Sequence, residues 1–179
     1  MGITIYLISL KNYFKFNYVF ILTIAIILCA FLYCFLWLKQ KASGVTISKN
    51  KWVYGAFLAI YVAFLLTLML VGREKGWDNS MNLSLFWSYK QYMKENNRNL
   101  LLQMICNILF FIPWQILFAQ VFPKMKKLLW GVGSAFLFSV FIETTQLVFK
   151  LGMFEFDDMF HNTLGALIGY VILVGRRKG

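Results

Sequence analysis

Five apolar runs, at about 18–38, 52–71, 100–122, 128–149 and 159–174, leave this chain few alternatives. A helix needs about 20 predominantly apolar residues to cross a hydrocarbon core roughly 30 Å thick. Inside lipid every backbone N–H and C=O must be satisfied internally, which admits only helices and closed barrels. The runs therefore predict an all-α integral membrane protein with about five transmembrane helices, forming one membrane domain over residues 1–179. Hydrophobic residues make up 60% of the chain, against about 45 to 50% in soluble domains, so a soluble fold is excluded.

The connectors carry the rest of the information. Only 14% of residues are charged, yet the net charge is +11. In a membrane protein this excess reports orientation and contact with anionic headgroups, so no nucleic-acid partner is expected. The apolar piece Ile3 to Leu10 is too short to span and is expected to lie at the interface. No small-residue cleavage site follows the first long run, and Leu28 ahead of Cys29 does not match a lipoprotein site, so that run is expected to be retained. Between the second and third runs, residues 72–99 interleave Trp77, Trp87, Tyr89 and Tyr92 with Lys and Arg, as an interfacial segment does. Cys29, Cys34 and Cys106 all lie in apolar runs and form neither a disulfide framework nor a metal-ligand pattern.

Polar groups inside the last three runs are the candidates for function. Glu143 and Gln146 precede the hinge at 150–158, and Asp158, His161 and Asn162 follow it. A carboxylate deep in an apolar run costs about 2.5 to 3.5 kcal/mol on insertion scales, so it faces protein or water. On a helix, Asp158, Asn162, Gly165 and Gly169 fall on one stripe, since residues three and four apart share a face. Glycines four apart let a second helix approach closely. Gln103 and Asn107 are likewise four apart, ahead of Pro113, where a kink is expected. The bland alternative is that Gln, Asn and Gly here are packing glue only. A whole set at one membrane depth favours a site.

The connectors at 39–51 and 123–127 and the carboxyl-terminal tail hold ten of the 18 Lys and Arg residues, which places them inside and the amino terminus outside. The polar groups then share the outer third of three helices, with Arg73 a candidate countercharge at the outer end of the second. Lipid headgroups or lipid-linked cell-wall precursors reach this depth.

At these residues the chain resembles the VanZ-like family of bacterial membrane proteins, over about 73–170. The pieces are Met81-Asn-Leu83, Asn107-Ile-Leu-Phe-Phe-Ile-Pro113, Ile142-Glu-Thr-Thr-Gln146 and Phe156-Asp-Asp-Met-Phe-His-Asn-Thr-Leu-Gly-Ala-Leu-Ile-Gly169. The resemblance implies a multi-pass protein of the bacterial cell membrane that reduces susceptibility to teicoplanin-type glycopeptide and lipoglycopeptide antibiotics. It puts recurrent polar residues at Asn107, Glu143, Gln146, Asp158 and Asn162 and structural ones at Pro113, Gly165 and Gly169. The chain departs from the family pattern at Met153, where an arginine is usual after the hinge glycine, at Ser84, where a proline is usual, and at Gln115, where a glycine is usual.

Three function classes follow. The first is a protein that binds or modifies an outer-leaflet lipid, a lipid-linked cell-wall precursor or the glycopeptide itself, with Asn107, Gln146, Asn162 and Arg73 as ligand-binding residues. The second is an intramembrane enzyme in which Glu143 and Asp158 form a catalytic acid/base pair. The third is a small transporter, for which midplane polar groups and inverted repeats would be expected and are not evident. One histidine beside Asp157, Asp158 and Glu143 fits several divalent ions loosely and none specifically, so neither a metal nor another cofactor is expected. Cysteines introduced at Lys126 and Glu155 are predicted to label from the inside and the outside respectively with a membrane-impermeant maleimide. Outside labelling at 126 would overturn the orientation.

Overall fold

A computed structural model describes the backbone of residues 2–44, 46–70 and 80–178 and the side chains of 23–44, 46–70 and 80–176. The elements are α1 (Gly2–Ser43), α2 (Lys49–Leu70), β1 (Met81–Asn82), α3 (Trp87–Glu95), α4 (Arg98–Val121), a 3-10 turn (Pro123–Lys126), α5 (Leu128–Val148), β2 (Phe154–Glu155) and α6 (Phe156–Lys178). Five helices are long and apolar enough to cross a membrane: 23–43 of α1, all of α2, α4 and α5, and 156–176 of α6. The chain is thus an all-α, multi-pass membrane protein. One expectation is corrected. The piece at 3–10 is not a separate segment, because α1 runs unbroken from Gly2 to Ser43. No Pro or Gly interrupts it after Gly2, and the lysines and asparagines at 11–17 do not stop a helix by themselves.

What positions α6 is a close approach to α4. A Cβ added at Gly165 would lie 2.1 Å from the Ile108 carbonyl oxygen, and one at Gly169 would lie 2.5 Å from that of Ile112. Successive glycines of α6 thus meet successive turns of α4 in the same chain direction, so these helices run parallel. Small residues let the backbones close up where lipid gives no hydrophobic drive to association. On the other side, α6 packs on α5. Around this unit sits an apolar core of Leu65, Met69, Phe111, Trp114, Ala135, Ile142 and Ala166. Trp114 stacks between Phe118 and Phe138, each with its ring centroid 4.3 Å away.

Pro113 lies inside α4, which continues through it. Proline cannot donate to the Leu109 carbonyl one turn earlier. The Tyr61 hydroxyl of α2 donates to the neighbouring Phe110 carbonyl, tying α2 to α4 at this level. Two residues on, Gln115 fills the place where the family pattern has glycine. Its Nε2 donates to the Met125 carbonyl at 2.8 Å, and a Cβ at Gly131 would collide with its carboxamide at 2.3 Å. The larger residue in α4 is thus matched by a glycine at the start of α5.

The interfacial segment is bound to the hinge by a two-residue parallel bridge, Met81 opposite Phe154 and Asn82 opposite Glu155. Gly165→Ala is predicted to destabilise the detergent-solubilised protein by at least about 1 to 3 kcal/mol, the usual range for overpacking. Gly133→Ala, with nothing within 4 Å of its added Cβ, is the control. Thermal unfolding of the two variants side by side decides the matter: equal midpoints would mean that the glycine contact does not hold α6.

Candidate functional site

Near the end of the bundle where α6 begins, α4, α5 and α6 bury an unusual set of polar side chains. Asn107, Ser139, Glu143, Gln146, Asp157, Asp158, His161 and Asn162 are each less than a tenth exposed. The parallel packing of α4 and α6 explains part of the arrangement. With the glycines fixed against Ile108 and Ile112, Asp158 falls level with Gln103, whose Nε2 donates to Asp158 Oδ2 at 3.3 Å. One turn further along α6, Asn162 reaches the other neighbour: its Nδ2 donates to Ser139 Oγ of α5 at 2.7 Å. Glu143 stands one turn beyond Ser139 and accepts the Glu155 backbone N–H at 2.9 Å on Oε2.

Some of the sequence candidates are therefore gathered here and others are not. Asp158 and Asn162 join α6 to α4 and α5, and Glu143 ties the end of α5 to the hinge. Gln146 points away from this group, since its Nε2 donates to the Met69 carbonyl at 2.9 Å. That carbonyl belongs to α2, so Gln146 ties α5 to α2. Arg73 lies outside the described residues. Asn107 sits in α4 one turn beyond Gln103.

Three buried polar atoms in this region have no partner: Asn107 Nδ2, His161 Nδ1 and Asn162 Oδ1. An unmet buried donor or acceptor costs about 1 to 3 kcal/mol in water-soluble folds, and lipid offers no substitute partner. Chemically, the arrangement presents three carboxylates together with one amide donor, one amide acceptor and one ring nitrogen without a partner among the described residues. Among the described residues, no three His, Cys, Asp and Glu side chains come together as a metal-binding group.

Asp157 is a residue whose role the sequence did not indicate. Its Oδ1 accepts from Phe86 N at 2.6 Å and its Oδ2 from Ser88 N at 2.7 Å. These donors open α3, whose preceding residue Phe86 has φ 63 and no side-chain cap of its own. A carboxylate from α6 thus does the work of an N-cap for α3 and meets the positive end of its dipole. The only sequence signal is the pair Asp157-Asp158 itself, since adjacent helical positions face different neighbours.

A model of the VanZ/LLP1 family matches residues 20–176. No curated protein and no solved structure matches this chain. Asp157→Ala is predicted to cost about 1 to 2 kcal/mol, as loss of a cap does, and to loosen α3 selectively. Amide exchange of residues 86–90 should quicken while that of α4 around Ile108 is unchanged; unaltered exchange at 86–90 would show that α3 is held by something else.

Proposed function

Since the chain belongs to the VanZ/LLP1 family and is at that level a multi-pass membrane protein of the glycopeptide-resistance type, we propose that its buried polar cluster recognises a polar headgroup in the outer leaflet. The headgroup is that of a lipid or of a lipid-linked cell-wall precursor, and binding or altering it reduces access of the glycopeptide to its target. The observation that carries this reading is the set of buried atoms that have no partner among the described residues, Asn107 Nδ2 on α4 and His161 Nδ1 and Asn162 Oδ1 on α6, in the part of the bundle that also buries Asp158 on α6 and Glu143 on α5. One further orphan, Gln115 Oε1, stands by itself toward the other end of α4, whereas three gather here, and each is costly in a low-dielectric interior. A ligand carrying hydroxyl and amide groups supplies both the acceptor that Asn107 Nδ2 lacks and the donor that Asn162 Oδ1 lacks.

The outer-leaflet placement rests on charge. The ten basic residues at 39–51, 123–127 and 176–178 belong to connectors at the opposite ends of the helices from this cluster, and such connectors stay inside. Two buried carboxylates on adjacent helices also support a second reading, an acid/base enzyme acting on the same lipid-linked substrate. Glu143→Gln separates the two, because it keeps the shape and loses the ionisable proton: an enzyme loses all activity and a binding protein retains part of it.

Glu143→Ala with Asp158→Ala is predicted to abolish any protection against lipoglycopeptides while the protein still inserts, since removing an expensive polar group does not hinder insertion. Susceptibility is measured in cells that express wild type or variant at equal membrane level. Unchanged protection with the folded double variant would reduce the cluster to packing.

A further inference from the structure

The opposite end of the bundle carries a second feature, in which a cleft and a charge cluster coincide. Between α1 and α2 lies a cleft of about 680 Å³ lined by Leu32, Leu36, Trp37, Gln40, Trp52 and Gly55 among others. At Gly55 the two helices pack closely, since an added Cβ would stand 3.2 Å from Leu32 Cδ2, and the cleft opens beside this contact at the exposed Ala30 and Ala56. Its walls are aliphatic toward the bilayer interior, and its mouth is framed by aromatics, with Tyr33 and Trp52 rings 4.9 Å apart. Such a surface takes an acyl chain below and holds amphipathic rings at headgroup level.

The charges converge on that mouth from separate elements. Lys39 adjoins Gln40 on α1, and Lys51 adjoins Trp52 on α2. The Lys41 ammonium stands 5.3 Å above the Trp37 ring. Lys51 is also within electrostatic reach of Lys39 and of Lys126 in the 3-10 turn, which the Phe35–Phe122 ring contact at 6.3 Å brings beside α1. Among the described residues no Asp or Glu stands at this end, since Glu95, Glu143, Glu155, Asp157 and Asp158 all belong to the hinge end of the bundle. Orientation by the positive-inside bias requires basic connectors but does not require them to converge on one cleft. Like charges held together repel, so an arrangement of this kind is relieved by an anion.

We propose that the cleft between α1 and α2 is a binding site for one anionic phospholipid, whose acyl chain lies along Ala30, Leu32 and Ala56 and whose phosphate is held by Lys39, Lys51 and Lys126. The occupant is a lipid and not a soluble anion, because the aliphatic walls continue directly below the charged mouth. This site is separate from the polar cluster, and neither depends on the other.

Native mass spectrometry of the full-length protein in a neutral detergent, titrated with phosphatidylglycerol, phosphatidylcholine or inorganic phosphate, tests the proposal. Wild type should retain one phosphatidylglycerol in preference to phosphatidylcholine by roughly a hundredfold, the order expected for three basic residues at a charged surface. Lys39→Gln, Lys51→Gln and Lys126→Gln together should bring the two lipids level. Ala56→Trp, at an exposed position that lines the cleft, should lower retention of phosphatidylglycerol by filling the groove without removing a charge. Lys90→Gln with Lys94→Gln, on α3, should change nothing. Preference surviving in the triple lysine variant, equal loss in the α3 control, full retention by Ala56→Trp, or inorganic phosphate binding as tightly as the lipid would each overturn the site.

Discussion

The contact between Gly165 and Gly169 of α6 and the Ile108 and Ile112 carbonyls of α4 sets the level of everything that lies above it. Two parallel helices locked at one register cannot slide, so the first turn of α6 has no freedom in which residues of α4 it meets. Asp158 therefore arrives at Gln103 and Asn162 is turned toward Ser139 of α5. The antiparallel α5 returns the chain between the two, through the tight Pro123–Lys126 turn at one end and the hinge at the other. Close backbone packing is the form of association available in lipid, and here it also delivers polar side chains to a common depth.

Once gathered, those polar groups divide into two kinds. Gln146 at the Met69 carbonyl, Asp157 at the start of α3 and Glu143 at the Glu155 N–H each serve a backbone group of another segment. Asn107, His161 and Asn162 keep atoms that serve nothing. A polar network that is only partly satisfied is worse for stability than an apolar one. The fold alone gives no reason for such atoms, and the proposed headgroup site supplies one.

Much of this was legible in the amino-acid sequence, and the failures have physical causes. Five helices follow from run length and hydropathy, because lipid leaves no other backbone solution. Gly165 and Gly169 announce a packing face, but spacing cannot say which helix fills it. The short hinge makes α5 an obvious neighbour of α6, whereas the tightest contact is with α4, through a parallel pairing that only the folded chain displays. The bridge of Met81 and Asn82 to Phe154 and Glu155 is too short to leave a period-two pattern. Asp157 reads as one more acid in a helix first turn until α3 is placed against it. Gln115 reads as a departure from the family, and its reason, the space left by Gly131, lies on another helix.

The two ends of the bundle also differ in the chemistry they can accept. At the hinge end, Glu143 accepts a backbone N–H and Asp158 accepts from a carboxamide, so both carboxylates are held in place by fixed donors. Asn107 Nδ2 and Asn162 Oδ1 add an amide donor and an amide acceptor to this end, the kind of groups that match hydroxyls and amides. At the other end, lysines from α1, α2 and the 3-10 turn stand without Asp or Glu among the described residues, and on the proposed reading a phosphate answers them. A bundle with these unlike ends is ordered along the membrane normal by its charge. The same asymmetry that orients the chain also decides which part of a lipid each end can recognise.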